Sequence, residues 1–208
     1  MALTNINQLS EMHLDVLKEI GNIGSGNAAS SLSELIMKPT DITVPAVKLL
    51  DFNEAINFLG GAEIIALGML VQLVGDIKGK MIYVIQQAFA SHMTETLFGM
   101  PIDDLLTMDE MATSFISEVG NIMTASYVNA IASLTNLTID ISVPEMTIDM
   151  VGAILSVPAV EFAMTGANKV LFIDDSFIID GSEVRSNLIF VPETKSLENL
   201  FGTLGVTV

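Results

Sequence analysis

The sequence predicts an α+β fold with a pseudo-twofold internal duplication: an antiparallel sheet with two long motif-bearing helices packed on it. Three observations predict it. The 208-residue chain repeats itself at an offset of 99 residues, with Asp15 to Ile23 lying over Ser114 to Ile122. Each copy opens on a long stretch of helical period, residues 9–37 and 108–135. Each continues with β-branched runs divided by turns rich in Gly and Asp.

The elements follow in order. In the first helix Leu9, Met12, Val16, Ile20 and Ile23 fall on one apolar stripe at about 100° per residue. Met111, Phe115, Val119 and Ile122 repeat it in the second. The next runs, 41–50 and 138–150, contain Pro45 and Pro144. Proline cannot donate to a ladder, so each run is expected at a sheet edge or with a bulge. Two further strands are predicted in each copy, at 63–75 and 78–86 and at 168–179 and 182–191. Short helices at 87–98 and 194–201 close the copies. Downstream the offset drifts, Lys80 to Val84 resembling Asn187 to Val191, and insertions near 156–168 would account for the drift. The expected organisation is one domain of two repeats, about 9–104 and 108–204.

Composition narrows the function. Half of the residues are hydrophobic and 16% are charged, enough apolar surface for a core. Eight Lys and Arg against 25 Asp and Glu give a net charge of −17, which repels phosphate backbones and anionic lipid. Nucleic-acid binding and membrane insertion are therefore not expected. There is no cysteine, so no disulfide, thiolate metal site or Cys nucleophile exists. The mean hydropathy of +0.59 raises the question of a span, but the apolar stretch Ile64 to Val74 contains Gln72 and falls short of about 20 residues. The N-terminal fifteen residues lack a basic n-region, so a secretory leader is not expected and the cytoplasm is.

The repeated polar residues carry the chemistry. Asp15, Glu19 and Asn22 lie within about 60° of one another on a helix, beside the apolar stripe. Ser114, Glu118 and Asn121 repeat that arrangement. Lys18 has become Ser117 and Gly24 has become Met123, yet the Glu and the Asn are kept. Neither is a strong nucleophile, and one Glu per helix is not a paired-carboxylate site. A neutral amide can orient a water, and a Glu one turn earlier can pair with a cation on another molecule. A site completed by a partner is the reading. His13 and His92 are isolated and offer no metal-ligand spacing, and Gly21 to Gly26 lacks the strand and Lys of a phosphate loop. The methionines read as core filling. Gly24 and Gly26 lower helix propensity in the first copy only, so the second Asn is expected to be held more rigidly.

Asp15, Glu19, Asn22 and Pro45 recur as Ser114, Glu118, Asn121 and Pro144 at identical spacing, and together they match the signature of the CheC/CheX/FliY phosphatases of chemotaxis. The chain resembles that family over essentially its full length, its CheC branch most. The resemblance implies an aspartyl-phosphate phosphatase acting on the response regulator CheY. Mg²⁺ and a Lys would be supplied by CheY, and no cofactor by this chain. Asn22 or Asn121 would hold the attacking water, and Glu19 or Glu118 would pair with the regulator's Lys. The family also binds the receptor deamidase CheD, for which the region of Asp149 is a candidate contact. CheX usually keeps one motif and dimerises; a monomer is expected here. The alternative is a module that captures phosphorylated CheY or CheD without turnover. Both readings need the Glu, and only turnover needs the Asn.

Overall fold

The computed structural model describes residues 6–43, 46–164 and 169–206. Helix α1 spans Glu11–Ile36, followed by edge segments β1, Thr40–Ile42, and β2, Ala46–Asp51. A short helix α2, Phe52–Phe58, leads into β3, Ile65–Gly75, then β4, Gly79–Gln86, and α3, Gln87–Phe98. The second copy has the same order. It runs α4 (Glu110–Thr135), β5 (Ile139–Ile141), β6 (Glu145–Met150), α5 (Val151–Met164), β7 (Lys169–Ile179), β8 (Ser182–Pro192) and α6 (Thr194–Thr203). The α+β class and both long helices agree with the sequence.

One antiparallel sheet runs β1-β7-β8-β4-β3-β5, with β2 also on β7 and β6 also on β3. The copies therefore exchange their edges: β1 and β2 of the first pair with β7 of the second, and β5 and β6 with β3. At the centre β4 pairs with β8, and Ile82 lies opposite Ile189, its own counterpart in the repeat. The pseudo-twofold passes between them. Both edges slip register at the same place. From Ile141↔Leu73 to Glu145↔Leu70, four steps along the edge match three on β3, the count of a β-bulge. Ile42↔Phe177 and Ala46↔Asp174 bracket the same slip in the first copy. Pro144 sits at the bulge, where a missing N–H costs the ladder nothing. Its counterpart Pro45 lies outside the described residues.

Helices cover both faces. Side chains of α1, α3, α4 and α6 pack with Leu67, Met69, Tyr83, Ile173 and Leu188 on one face. Ala55 of α2 and Val151 and Leu155 of α5 pack with Ile82, Val84, Phe172 and Ile189 on the other. That second layer was not read from the sequence. A capping box announces α2, Asp51 Oδ1 accepting from Glu54 N and Glu54 Oε2 from Asp51 N, both at 2.8 Å. Seven residues are too few to display a period. In α5, Pro158 and an all-round apolar surface erase one. The described part of the insertion expected near 156–168, through Met164, falls within α5, which at 14 residues is twice as long as its 7-residue counterpart α2.

The helical stripe also needs correction. The buried face of α1 carries Leu17, Ile20, Gly24, Ala28 and Leu32, and that of α4 carries Phe115, Ile116, Val119, Met123 and Tyr127. Met12 is 62% exposed and Met111 49%, so neither belongs to the core. Methionine fills the core at Met69, Met81, Met93 and Met123, whereas Met37, Met100 and Met150 join Met12 and Met111 at the surface.

Candidate functional site

The two motif helices begin and end alike. Ser10 caps α1, its backbone N–H donating to His13 Nδ1 at 3.0 Å, with Ser10 Oγ 2.6 Å from the same nitrogen. The His13 ring is buried edge-on against Phe201, which gives it a structural role. Asp109 caps α4 through Ala112 N at 2.8 Å. Both helices stop on a left-handed residue, Met37 and Asn136, again 99 residues apart. The helices pack against each other on the sheet. Their inward faces are fixed by the core, and Glu19, Asn22 and Glu118 point to solvent, with Asn121 half-buried.

The glycine before each Asn is buried. At Gly120 an added Cβ would stand 2.5 Å from Met69 Cε, so glycine lets α4 lie close to β3 directly beside Asn121. At Gly24 a Cβ would stand 2.7 Å from Tyr127 Cδ1, whereas at Gly26 it would meet nothing. Gly24 is thus a close-approach position between α1 and α4. It does not loosen the first Asn by itself, and the expected difference in rigidity loses half of its basis.

The surroundings of the two motifs differ in charge. Asp15 is paired with Lys18 at 2.8 Å, an exposed contact of small energetic value. In the second copy both positions are serine. Ser117 Oγ donates to Thr113 O at 2.8 Å and lies 3.2 Å from Met146 Sδ of β6. The bulged edge is thereby tied to the motif helix. Pro144 is held next to Ser142, whose N donates to Gln72 O at 2.9 Å and whose Oγ accepts from Gln72 N at 3.0 Å.

Asp149 is not brought to the motifs. On β6 it pairs with Ala66 of β3, and it lines a cavity of about 320 Å³ with Gly68, Ile154 and Pro158, on the α5 face of the sheet. Glu–Asn chemistry and the Asp149 surface occupy opposite layers. Among the described residues no group of three or more His, Asp or Glu could hold a metal ion. No described helix is long and apolar enough to cross a membrane.

Sequence reading missed a buried polar cluster beneath the motif helices. Ser25 Oγ donates to Asp175 Oδ1 at 2.7 Å, Tyr127 Oη donates to Asp175 Oδ2, and Ser25 Oγ and Tyr127 Oη are 2.6 Å apart. Burial pushes the Asp175 carboxyl up to about 6, against the opposing pull of these hydrogen bonds, and neighbouring Asp174 adds to the rise. Burial also raises Tyr127, reinforced by the Asp175 charge. The signal was present: Leu171, Ile173, Asp175, Phe177 and Ile179 alternate on one face of β7, which places an acid at an inward position.

The sequence model of the CheC-like family matches residues 12–49 and 111–148, two windows at the internal offset. The chain is 35% identical to the CheY-P phosphatase CheC of Bacillus subtilis, over 97% of this chain and 98% of that protein. It is 26% identical to the flagellar motor switch phosphatase FliY of the same organism, over 69% of this chain and 38% of FliY. Among solved structures, Thermotoga maritima FliY superposes with a TM-score of 0.75 at 20% identity, covering 95% of this chain and 98% of that one. A chain of the FliG–FliM complex from H. pylori follows at 0.69 and 12%, covering 91% and 100%, which speaks for the fold alone. Full-length identity and a duplicated family match lead to one conclusion: the chain belongs to the CheC-like family.

Proposed function

We propose that this protein dephosphorylates the response regulator CheY by placing a water in line with the phosphorus of its aspartyl phosphate. The observation that carries the reading is the repeated Glu and Asn, Glu19 with Asn22 and Glu118 with Asn121, on the outward faces of twin helices. They sit in a chain 35% identical to a CheY-P phosphatase along its length. The water oxygen bonds to phosphorus as the bond to the aspartyl oxygen breaks, releasing inorganic phosphate and regenerating the carboxylate. The Asn amide orients the water, and the Glu carboxylate pairs with the regulator's Lys. Asp15, Ser114, Pro45 and Pro144 support the motif. Alignment supplies part of the ~7–11 kcal/mol that ideal orientation can contribute. The chain needs no metal for this role, because Mg²⁺ resides in CheY.

A second surface serves regulation in this reading. Asp149 and the exposed Val157 and Val160 of α5 form a mixed acidic and apolar face away from the motifs. We assign CheD to it, with the protein a cytoplasmic monomer that binds no nucleic acid. The experiment is phosphate release from phosphorylated CheY with and without this protein. An accelerated release that Asn22→Ala with Asn121→Ala abolishes is the expected result. Acceleration that survives both substitutions would overturn the water-positioning role.

A further inference from the structure

Each motif helix exposes a methionine that does not join the core of the described residues. Met12 and Met111 lie at equivalent positions, seven residues before Glu19 and Glu118. On a helix that is about two turns N-terminal and about 20° around the axis, on the same outward stripe as the Glu and the Asn. Neither packs against the core. Chance retention is a poor explanation, because Asp15, Lys18, Asn27, Ser30 and Glu34 all differ from their counterparts in α4. Four outward positions are repeated unchanged: Glu11, Met12, Glu19 and Asn22. Glu11 and Glu110 lie in the first helical turn, where the helix dipole favours an acid. Glu19 and Asn22 have the roles proposed above. Among the described residues the methionine has no intramolecular account, and a flexible exposed thioether suits contact with a partner's apolar surface.

The second copy extends this surface. Met111 borders a cavity of about 280 Å³ together with Phe98, Met100, Ile102 and Met108, with Asp103 and Asp109 also lining it. Phe98 is held edge-on against Phe115 of α4, so the apolar lining continues into the motif helix. We propose that Met12 and Met111 are the apolar anchors on which phosphorylated CheY docks, Met111 together with this cavity receiving an apolar side chain beside the phosphorylation site. The inference rests on the reading of the Glu–Asn face as the CheY site, and continuity along one helix stripe selects that occupant. It assigns the methionines to binding and the asparagines to the chemical step.

Two measurements separate those roles. Phosphorylated CheY is titrated onto the Asn22→Ala, Asn121→Ala protein, which does not consume it, with and without Met12→Gln and Met111→Gln. The glutamines keep side-chain length and helix propensity and remove the apolar tip. The expected result is a Kd raised about tenfold, with Met12→Leu and Met111→Leu restoring it. In the chain with both asparagines intact, the Gln pair raises KM and leaves kcat unchanged. A Kd raised by less than about threefold overturns the inference, while loss of turnover in the Asn pair would still uphold the catalytic reading. Turnover that persists in the Asn pair overturns that reading first, and the assignment of the methionines falls with it.

Discussion

Ser25 Oγ of α1 donates a 2.7 Å hydrogen bond to the buried carboxylate of Asp175 on β7, one helical turn after Asn22. Tyr127 of α4 donates to the other oxygen of the same carboxylate. One acid therefore ties both motif helices to the sheet. An ionised buried carboxyl is costly even when hydrogen-bonded, and here burial lifts its pKa from 3.8 to about 6.

The sign of the pH dependence follows. A raised folded-state pKa means that the contribution to stability is full below about pH 4 and is lost as pH rises through about 6. A shift of about two units corresponds to roughly 3 kcal/mol. Asp175→Asn removes the charge and keeps an acceptor, so it should gain stability relative to the parent as pH rises from 4 to 7. Urea unfolding of both proteins at several pH values checks this. A constant difference across that window would refute it.

Gly24 and Gly26 should respond oppositely to alanine. At Gly24 the Cβ meets a Tyr127 ring whose hydroxyl is held by Asp175, so the ring cannot yield easily. Gly24→Ala is expected to cost about 1–3 kcal/mol through overpacking. Gly26→Ala enters open space and should stabilise by about 0.5–1 kcal/mol through helix propensity. Thermal melting of the two variants decides it, and a shift of the same sign in both would contradict the packing argument.

Reversing charge at the motif tests docking. Glu19→Lys with Glu118→Lys sets like charge against the regulator's Lys and should weaken binding of phosphorylated CheY about tenfold or more at low salt. The melting temperature should hardly change, since both side chains are exposed. Unaltered affinity in a titration would remove the glutamates from the interface.

Edge exchange predicts that the first copy is not a foldable unit. Residues 1–104 alone would leave β1 and β2 without β7, and β3 without β5 and β6. Such a fragment should be unfolded or self-associated, because bare edges seek partners. A monomeric fragment with a cooperative transition, seen by sedimentation and circular dichroism, would prove the repeats independent.

Periodicity and self-similarity determined much by themselves. The long helices, the six main strand segments and the Glu–Asn stripe follow from residues a few positions apart, where backbone geometry alone sets the relationship. Helix α2 was announced only by its Asp51–Glu54 box, and α5 by nothing periodic, since its exposed face carries Val157 and Val160 and is as apolar as its buried one. Two kinds of information had to wait for the tertiary structure. Which copy's edge pairs with which strand is decided by packing between segments far apart in the chain, 139 residues at Thr40↔Ile179 and 64 at Gly75↔Ile139, where neither chain segment encodes its partner locally. The burial of Met12 was misjudged for a related reason: a stripe at 100° per residue is wide, and only the position of the sheet beneath α1 decides which of its borders is wet. Asp175 lay in plain alternation with Ile173 and Phe177, but its meaning came from Ser25 and Tyr127, brought to it from 150 and 48 residues away by the closing of two helices over one strand.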